Sequence, residues 1–491
     1  MQQMEVREKN VNVAIFQFIL PFSFRAGTEQ AIIPLLKQDS FKHFQLEHIE
    51  DENKYYGKFS VSHLDMRGYY LPFTNKILFP STEYDKGLQR YSKALHLNGC
   101  LKTNFIQIPF QIHSIDMTLC PYELGFLTIR TEISETKDLT LSQATEFAAR
   151  FRVLEPRTQR DIETQIECDG QLFLHVKNFI FEFLYKGLTN FFVFKEPKST
   201  NFKPFPYFED ARMYVQSFIS IKDKMEIEPT DVYRGLGLCG FADDGTPYIS
   251  ANNSFYIKDY LKNHSYPRWE PYTFFTIEEH SFLCMTNENE TTVTQLVSQV
   301  YGEFYYALLL NLFHKIVLLK IAHSFADLNI DRDEKEMERL IYAINSFTAN
   351  YFFSEIASQS QGRDIYNHLR TIFNIELLFR DAKQTLYSLF KYQENANSKK
   401  DSLLLLILTL YSVIGQMFGM SFVISDFEGR INWNHIHSYN PLEYFALFVA
   451  MSGVIVSLIL GIRNVYQWRS DKRKREQWVK HTVLSSTKER E

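Results

Sequence analysis

The sequence predicts an α+β membrane protein. An N-terminal cytoplasmic α/β domain is followed by a long stalk helix that continues into the first of two C-terminal transmembrane helices. Three observations predict this architecture. The first 285 of the 491 residues are rich in strand-forming segments. No proline stands between Pro271 and Pro441, and glycines are few there, which favours helix. Two long stretches after Asp401 carry almost no charge.

The overall charge and the cysteines exclude some classes of protein. The formal net charge is −5, so we expect no nucleic acid partner. The five cysteines are widely spaced and form no C-x-x-C pair. They indicate free thiols in a reducing compartment rather than a disulfide framework or a zinc site.

The N-terminal domain, residues 1–285, combines strand-like and helical segments. β-branched and aromatic residues predict strands over 12–20, 55–62, 104–115, 124–133 and 190–194. An amphipathic helix over 140–155 starts at a cap-like Thr140 or Ser142, and residues 210–221 form a weaker helical pattern. Mixed order of this kind predicts an α/β domain.

The glycine-rich stretch 235–245 is the one place in this domain that resembles a nucleotide-binding loop. It lacks the lysine of a P-loop, so we interpret it as a turn. The spacing of residues elsewhere brings together no nucleophile, base or metal-ligand set, and we expect a protein that is not an enzyme.

Residues 286–361 predict a helical hairpin of the cytoplasmic domain, with an acidic loop between its helices. The spacing of EF-hand ligands is matched by Asp327, Asn329, Asp331, Asp333 and Glu338. Arg332, however, stands where that loop needs glycine for its sharp turn. Three interpretations stay open: a solvated turn, a loose divalent-cation site that senses cytoplasmic Mg²⁺, and a true EF-hand. The loose site would use Asp327, Asp331, Asp333 and Glu338.

Two apolar stretches near the C-terminus predict transmembrane helices. The first, residues 403–424, has 22 uncharged residues, and the second, 441–462, is uncharged after Glu443. About 20 such residues cross a hydrocarbon core of about 30 Å. An outer loop, 425–440, connects the spans and a basic tail, 463–491, follows them. We therefore expect a multi-pass protein whose partner is the lipid bilayer of the plasma membrane.

Positive charge indicates the orientation of these spans. Lys399 and Lys400 precede the first span, and the tail after the second is basic. The tail residues concerned are Arg463, Arg469, Lys472, Arg473, Lys474 and Arg475. The connecting loop carries Asp426 and Glu428 against Arg430. Because lysine and arginine accumulate on the cytoplasmic side, both termini are predicted to be cytoplasmic.

The stalk helix and first span, 362–424, carry two stripes of residues. From Arg363 to Ile414 there is no glycine or proline, which predicts one continuous helix. Its cytoplasmic part repeats an apolar stripe, typical of a stalk packed against copies of itself: Ile365, Leu369, Ile372, Phe379, Leu386 and Phe390. The same seven-residue repeat continues into the span through Ser402, Leu405, Thr409, Ser412, Gln416 and Gly419.

Polar residues on one stripe of a span face either a neighbouring helix or a water-filled path, because lipid offers them no partners. Hydrogen bonding between helices without any pore is one interpretation. A pore is the other, and since one hairpin cannot enclose a path, it would require several chains around an axis.

The end of the first span resembles the CorA family of magnesium channels. That family ends its first span with Tyr-Gly-Met-Asn-Phe, and Phe418 to Phe422 reads Phe-Gly-Met-Ser-Phe. The position before a short acidic loop, a second span and a basic terminus strengthens the match. The resemblance implies a homopentamer whose mouth, Gly419, Met420 and Ser421, receives a hydrated Mg²⁺ ion at a ring of Ser421. Ser421 replaces the family's asparagine, which leaves the choice of ion open.

The resemblance also implies roles for residues near the mouth. Gln416, Ser412 and Thr409 would form polar rings in the pore, with Leu405 as a hydrophobic constriction that gates by dewetting. Asp426 and Glu428 would concentrate divalent cations outside, and an ordinary solvated loop is the alternative for them. His435 and His437 are ordinarily solvated in such a loop, and zinc binding is the alternative.

We expect no cofactor besides Mg²⁺ as transported and regulatory ion. Two alternatives remain open: a Zn²⁺ or Co²⁺ transporter of the same architecture, and a ligand-gated, nucleotide-sensing membrane effector.

Overall fold

The computed structural model describes most of the chain between residues 6 and 462. The undescribed positions in that range are Ala26, Tyr84, 135–136, Arg157, 192–211, 223–225, Asp327, 329–333 and 422–440. Between 441 and 462 it describes only Pro441, Tyr444, Phe445, Phe448, Met451, Ser452, Ile455, Ile459 and Ile462. The chain divides into two compact units, unit 1 (residues 1–385) and unit 2 (386–491).

Unit 1 is built around one 11-stranded sheet. Its strands are β1 (Val11–Ser23), β2 (Lys42–His43), β3 (Gln89–Lys102), β4 (Gln107–Cys120), β5 (Leu124–Ile133), β6 (Gln165–Cys168), β7 (Gln171–Phe173), β8 (Tyr214–Ile221), β9 (Ser265–Tyr266), β10 (Thr273–Ile277) and β11 (Ser281–Thr286). They lie in the order β7-β6-β3-β4-β5-β1-β8-β11-β10-β9, with β2 beside β3. Strands β8 and β11 are parallel, and the other pairs are antiparallel.

The helices of unit 1 precede, interrupt and follow these strands. They are α1 (Glu29–Gln38), α2 (His63–Tyr69), α3 (Pro72–Leu78), α4 (Leu141–Phe151), α5 (Gln159–Ile162), α6 (Val176–Asn178), α7 (Pro229–Leu236), α8 (Ser254–His264), α9 (Glu290–Tyr301), α10 (Glu303–Ala326), α11 (Glu334–Asn350) and α12 (Ser360–Ile372). A final helix, α13 (Ile375–Ser421), begins in unit 1 and continues into unit 2. The chain is therefore a mixed α/β protein with a large sheet and a long helix, as the sequence predicts.

Strand β1 shows that the sheet is covered on both faces. Phe18 contacts Phe151 of α4, with ring centroids 4.5 Å apart, so one face packs against that helix. Gln17, the neighbouring residue, points to the other face and donates a hydrogen bond to the Val300 carbonyl of α9, 3.2 Å away. Successive side chains of a strand point to opposite faces, so β1 is buried almost throughout.

Helix α10 is apolar around its circumference, and most of it is buried inside unit 1. From Phe304 to Leu318 every residue is buried except the partly exposed Lys315. Within the described residues, the segment Glu290–Ala326 is the one helix long and apolar enough to cross a membrane, and 83% of its most apolar window is buried inside the protein. A core helix meets the same criterion, and α9 to α11 occupy the region where the sequence predicts a cytoplasmic helical hairpin.

Several local predictions are confirmed and others are wrong. The expected strands over 12–20, 104–115 and 124–133 correspond to β1, β4 and β5. Thr140 caps α4 by accepting a hydrogen bond from the Gln143 amide, and the stretch 235–245 turns after the end of α7.

The expected strand over 55–62 is instead irregular up to the Ser62 cap of α2. In 190–194 the described part is a 3₁₀ turn that ends at Phe191, and the rest lies outside the described residues. The predicted helix over 210–221 is also wrong, because Tyr214–Ile221 forms β8. Its hydrophobic residues stand in the middle of the sheet, and pairing with β1 and β11 outweighs the weak helical pattern.

The predicted continuous helix from Arg363 is broken between α12 and α13. The break lies at Phe373 and Asn374, and Asn374 has a left-handed φ of 54°. Asparagine tolerates this conformation and ends helices there. Ile365 and Leu369 are buried within the same chain, where α12 packs against α10, so this part of the apolar stripe is not available to another copy. The stalk prediction is corrected to a helix that starts at Ile375.

Candidate functional site

The predicted pore-lining residues lie on the described part of α13. Leu405 is 61% exposed, and the Thr409 hydroxyl donates a 2.7 Å hydrogen bond to the Leu405 carbonyl of its own helix. Ser412 and Gln416 are exposed. The helix therefore presents Leu405, Thr409, Ser412 and Gln416 in a row, and the threonine hydroxyl is satisfied without a partner helix.

The apolar residues around this row are exposed as well. More than half of the surface of each of these side chains is exposed: Leu403, Leu405, Leu406, Leu408, Leu410 and Val413. Residues Asp401–Val413 form a short apolar helical stretch within α13. A helix with this much uncovered leucine surface requires an apolar environment or an apolar partner, since each buried leucine is worth about 1.5–3 kcal/mol.

The predicted mouth lies at the end of the described helix. Gly419 and Met420 lie in the last turn of α13, which ends at Ser421. The outer acids Asp426 and Glu428 lie outside the described residues, as do the loop histidines His435 and His437.

The acidic loop between α10 and α11 is described only in part. Asp327, Asp331 and Asp333 lie outside the described residues, and Glu338 is exposed on α11. Among the residues that the structure describes, no group of three or more His, Cys, Asp or Glu side chains is placed to hold a metal ion. The divalent-cation site at this loop stays a prediction.

A polar row across the centre of the sheet is a feature that the sequence did not reveal. Ser114, Arg130, Gln17 and Gln216 occupy directly opposite positions on β4, β5, β1 and β8. The Arg130 Nε donates to Gln17 Oε1 at 3.0 Å, and Gln17 Nε2 donates to Gln216 Oε1 at 2.9 Å. We call these four residues the polar band.

Two buried arginines share one buried carboxylate beside this band. Arg90 Nε lies 2.9 Å from Asp116 Oδ2, and Arg130 Nη1 lies 2.5 Å from the same oxygen. The side chains of all three are 2% exposed or less. We call Arg90, Asp116 and Arg130 the charge cluster.

Tyrosines of α10 complete the surroundings of the charge cluster. Arg90 Nη1 donates to the Tyr306 hydroxyl at 2.6 Å, and the Arg130 guanidinium lies 5.0 Å from the Tyr305 ring centre. Burial alone would lower the pKa of Arg90, but the Asp116 carboxylate and the nearby tyrosines hold it well above its ordinary value. Both arginines therefore stay charged inside unit 1, where α10 covers the sheet.

The alternating pattern of β5 contained a partial signal of the charge cluster. In "LGFLTIRTEI" the polar residues Thr128, Arg130 and Glu132 recur at every second position. That period is typical of a strand with one solvent-exposed face. Here the polar face is covered by α9 and α10, whose residues lie about 170 positions later in the chain.

A surface cleft of about 590 Å³ in unit 1 is lined by Lys37, Lys42, His43, His48 and Lys54, among others. Lys37 pairs with Glu83 at 2.7 Å and Lys54 with Asp51 at 2.9 Å. Burial lowers the pKa of His43, whose ring nitrogen lies 2.6 Å from the Gln89 amide oxygen. The cleft is thus a mixed-charge surface in which most lysines already have partners.

No model of a known protein family matches the chain, no curated protein matches it, and no solved structure matches its fold.

Proposed function

We propose that the chain is one subunit of a CorA-like homopentameric channel for divalent cations, with Mg²⁺ as the first candidate. The observation that supports this proposal is the uncharged helix from Ser402 to Gln416. Its polar residues recur with Leu405 on one seam, and Leu403, Leu406, Leu408 and Leu410 are exposed outside that seam. A seam of hydroxyl and amide groups in a helix with leucine surface suits a water-filled path lined by several copies.

The chemistry of the proposed mouth favours Mg²⁺ as the ion. Mg²⁺ gives up its water shell reluctantly, so a ring of neutral oxygens can accept hydrogen bonds from that shell without removing it. Ser421 offers a hydroxyl in place of a carboxamide, which makes the proposed ring wider. A hydrated ion fits a wide ring better than a bare one.

Ser421 lies at a different angle around α13 from the polar seam. At about 100° per residue, position 421 lies about 140° around the helix from position 416, away from the polar seam. Because α13 is helical through Ser421 in the structure, Ser421 can face the same axis as Gln416 only if the helix unwinds near Gly419 in the assembled channel. Glycine permits that change at low steric cost, so the proposal assigns Gly419 a conformational role at the mouth.

The test is Mg²⁺ uptake into proteoliposomes that contain the full chain, read with an enclosed fluorescent Mg²⁺ indicator. We expect uptake by the wild type, and strong impairment by Ser421→Ala and by Gly419→Ala with the oligomer intact in light scattering. Ser457→Ala, in the second uncharged stretch, is the matched control and should leave uptake unchanged. Equal uptake by all three variants would remove the assignment of the mouth, and a monomeric wild type would remove the pore.

The same vesicles separate the metal alternatives. Zn²⁺ and Co²⁺ are presented at equal concentration with indicators for each ion. Faster Zn²⁺ or Co²⁺ uptake than Mg²⁺ uptake would favour the transporter alternative of the same architecture.

A second candidate is a ligand-gated effector, and the cleft of about 590 Å³ lined by Lys42 and His48 supports it. Its size suits a nucleotide-sized ligand. The test adds a panel of nucleotides to the vesicles. Mg²⁺ flux or dye leakage that needs a nucleotide, and that Lys42→Glu abolishes, would favour the effector over a channel open without ligand.

A further inference from the structure

The break between α12 and α13 is a short joint at the start of the helix that carries the proposed pore. Only Phe373 and Asn374 separate the two helices, and Asn374 has the left-handed φ of 54°. We call these two residues the elbow. Hinges in proteins are a few residues at the ends of elements, so two helices joined in this way can pivot unless other contacts hold them.

Arg370, in the last turn of α12, bonds across the elbow. Its Nε donates to Glu376 Oε1 of α13 at 3.1 Å, and its Nη2 donates to the same oxygen. Its Nη1 donates to the Tyr366 hydroxyl at 2.9 Å and to the Phe353 carbonyl at 2.8 Å. The Arg370 side chain is only 5% exposed. One guanidinium therefore joins α12, α13 and residues 351–359, the segment between α11 and α12 that we call the connector.

The connector also packs directly on α13. Phe352 of the connector stacks on Phe379 of α13, with ring centres 3.7 Å apart and ring planes 15° apart. The Arg370 guanidinium carbon lies 4.5 Å from the Phe352 ring centre, and Lys383 Nζ lies 4.9 Å from the Phe379 ring centre. A cation near the face of an aromatic ring is attracted to it. Two rings and two cations thus hold the first turns of α13 against the connector.

The connector is in turn fixed to the rest of unit 1. His314 of α10 donates from Nε2 to the Tyr351 carbonyl at 2.8 Å, since a carbonyl oxygen only accepts. The Leu71 amide donates to the Ile356 carbonyl, also at 2.8 Å. The connector is therefore tied to α10 at one end and to the segment between α2 and α3 at the other.

We propose that the elbow is a rigid joint and that Arg370 is the positioning residue through which the connector sets the direction of α13. Helix α13 continues without a break to Ser421, so displacement of the connector displaces the start of the helix that carries Leu405 and Gln416. The connector is then the place where unit 1 acts on the proposed pore helix. The joint itself depends on contacts within unit 1 and does not require that the chain conducts ions.

The experiment measures hydrogen–deuterium exchange of the full chain in detergent by mass spectrometry. Arg370→Gln should speed exchange of the amides of 378–385 roughly tenfold and leave β1, β4 and β5 unchanged, because only the start of α13 opens. Arg370→Lys keeps the charge without the planar fork and should give an intermediate rate. Arg363→Gln, the same substitution at an exposed arginine of α12, is the matched control and should exchange like the wild type.

Two results with Arg370→Gln would overturn the proposal. One is exchange of 378–385 at the wild-type rate, which would mean that other contacts hold α13. The other is equal acceleration in the strands of the sheet, which would mean a general loss of stability. Neither result depends on ion transport, so failure of this proposal is distinguishable from failure of the channel proposal.

Reciprocal variants test the contact between the connector and α13. Phe379→Ala on α13 should speed exchange of the connector amides, and Phe352→Ala in the connector should speed exchange of 378–385. Leu377→Ala is the matched control on α13, because this side chain is 46% exposed, and it should leave the connector unchanged. A connector that exchanges at the same rate in Phe379→Ala and in the wild type would contradict the coupling.

Discussion

Asp116 compensates the buried charges of Arg90 and Arg130, and Asp116→Asn tests this role. The side chain is fully buried and contacts both Arg90 and Arg130. Removing one partner of a buried pair costs about 3–5 kcal/mol, because the other charge is left without compensation. Asparagine keeps the shape and one acceptor oxygen but leaves two arginines uncompensated. We therefore expect a loss near the upper end, about 5 kcal/mol.

A loss of this size is a large part of the stability of an ordinary domain, about 5–15 kcal/mol. The assay is urea unfolding of the full chain in detergent, followed by near-ultraviolet circular dichroism, which reports the packing of the buried tyrosines. The matched control is Glu47→Gln, which breaks the exposed pair with Arg67, whose two side chains are 60% and 52% exposed. Exposed pairs contribute about 0–1 kcal/mol.

A second comparison removes a positive charge from the charge cluster in place of the negative one. Arg90→Gln removes one of the two positive charges and leaves Arg130 paired with Asp116, so it should destabilise less than Asp116→Asn. A loss from Asp116→Asn no larger than that from Glu47→Gln would refute the assigned role of Asp116. A larger loss from Arg90→Gln than from Asp116→Asn would refute it as well.

Three further predictions concern a carboxyl group, a helix break and the proposed constriction. Burial, with a smaller effect of Asp65, raises the pKa of Glu303 to about 7 from an ordinary 4.5. The folded state therefore binds the extra proton, and the stability it contributes below about pH 4.5 is lost as pH rises through 7. Glu303→Gln should match the wild type near pH 4 and exceed it by roughly 3 kcal/mol at pH 8 in thermal unfolding; parallel pH profiles would contradict this. Asn374→Ala should cost about 1 kcal/mol in urea unfolding because φ is left-handed there, whereas Asn374→Gly should be neutral, and equal losses would argue against a backbone cause. Leu405→Ser should raise resting Mg²⁺ flux in proteoliposomes severalfold by wetting the constriction, and Leu410→Ser, about 140° around the helix, should not; equal flux from both would remove Leu405 as a gate.

Helix α13 could be argued from the sequence because it depends on local properties. Absence of glycine and proline is a property of consecutive residues, and from Arg363 to Ile414 it predicted most of the helix that the structure describes from Ile375 to Ser421. The strands β1, β4 and β5 were also readable from β-branched and aromatic runs. The resemblance at Gly419 to Ser421 likewise rests on a short contiguous motif, and what it implies for transport stays a prediction.

Other features depend on residues far apart in the chain. Tyr214–Ile221 is a strand because β1 and β11 pair with it, although its own pattern indicated a helix. Helix α10 has the composition of a membrane span and is instead a core helix, because a sheet built from earlier strands covers it.

The sequence by itself determined strands β1, β4 and β5, the Thr140 cap of α4 and most of α13, because local propensity and hydrophobic runs are read within about 20 residues. Only the tertiary structure decided that Arg90, Asp116 and Arg130 share one buried site with tyrosines of α10. Strand register and helix packing bring these residues together across more than 200 positions, and a buried charge can be tolerated only when such distant partners meet.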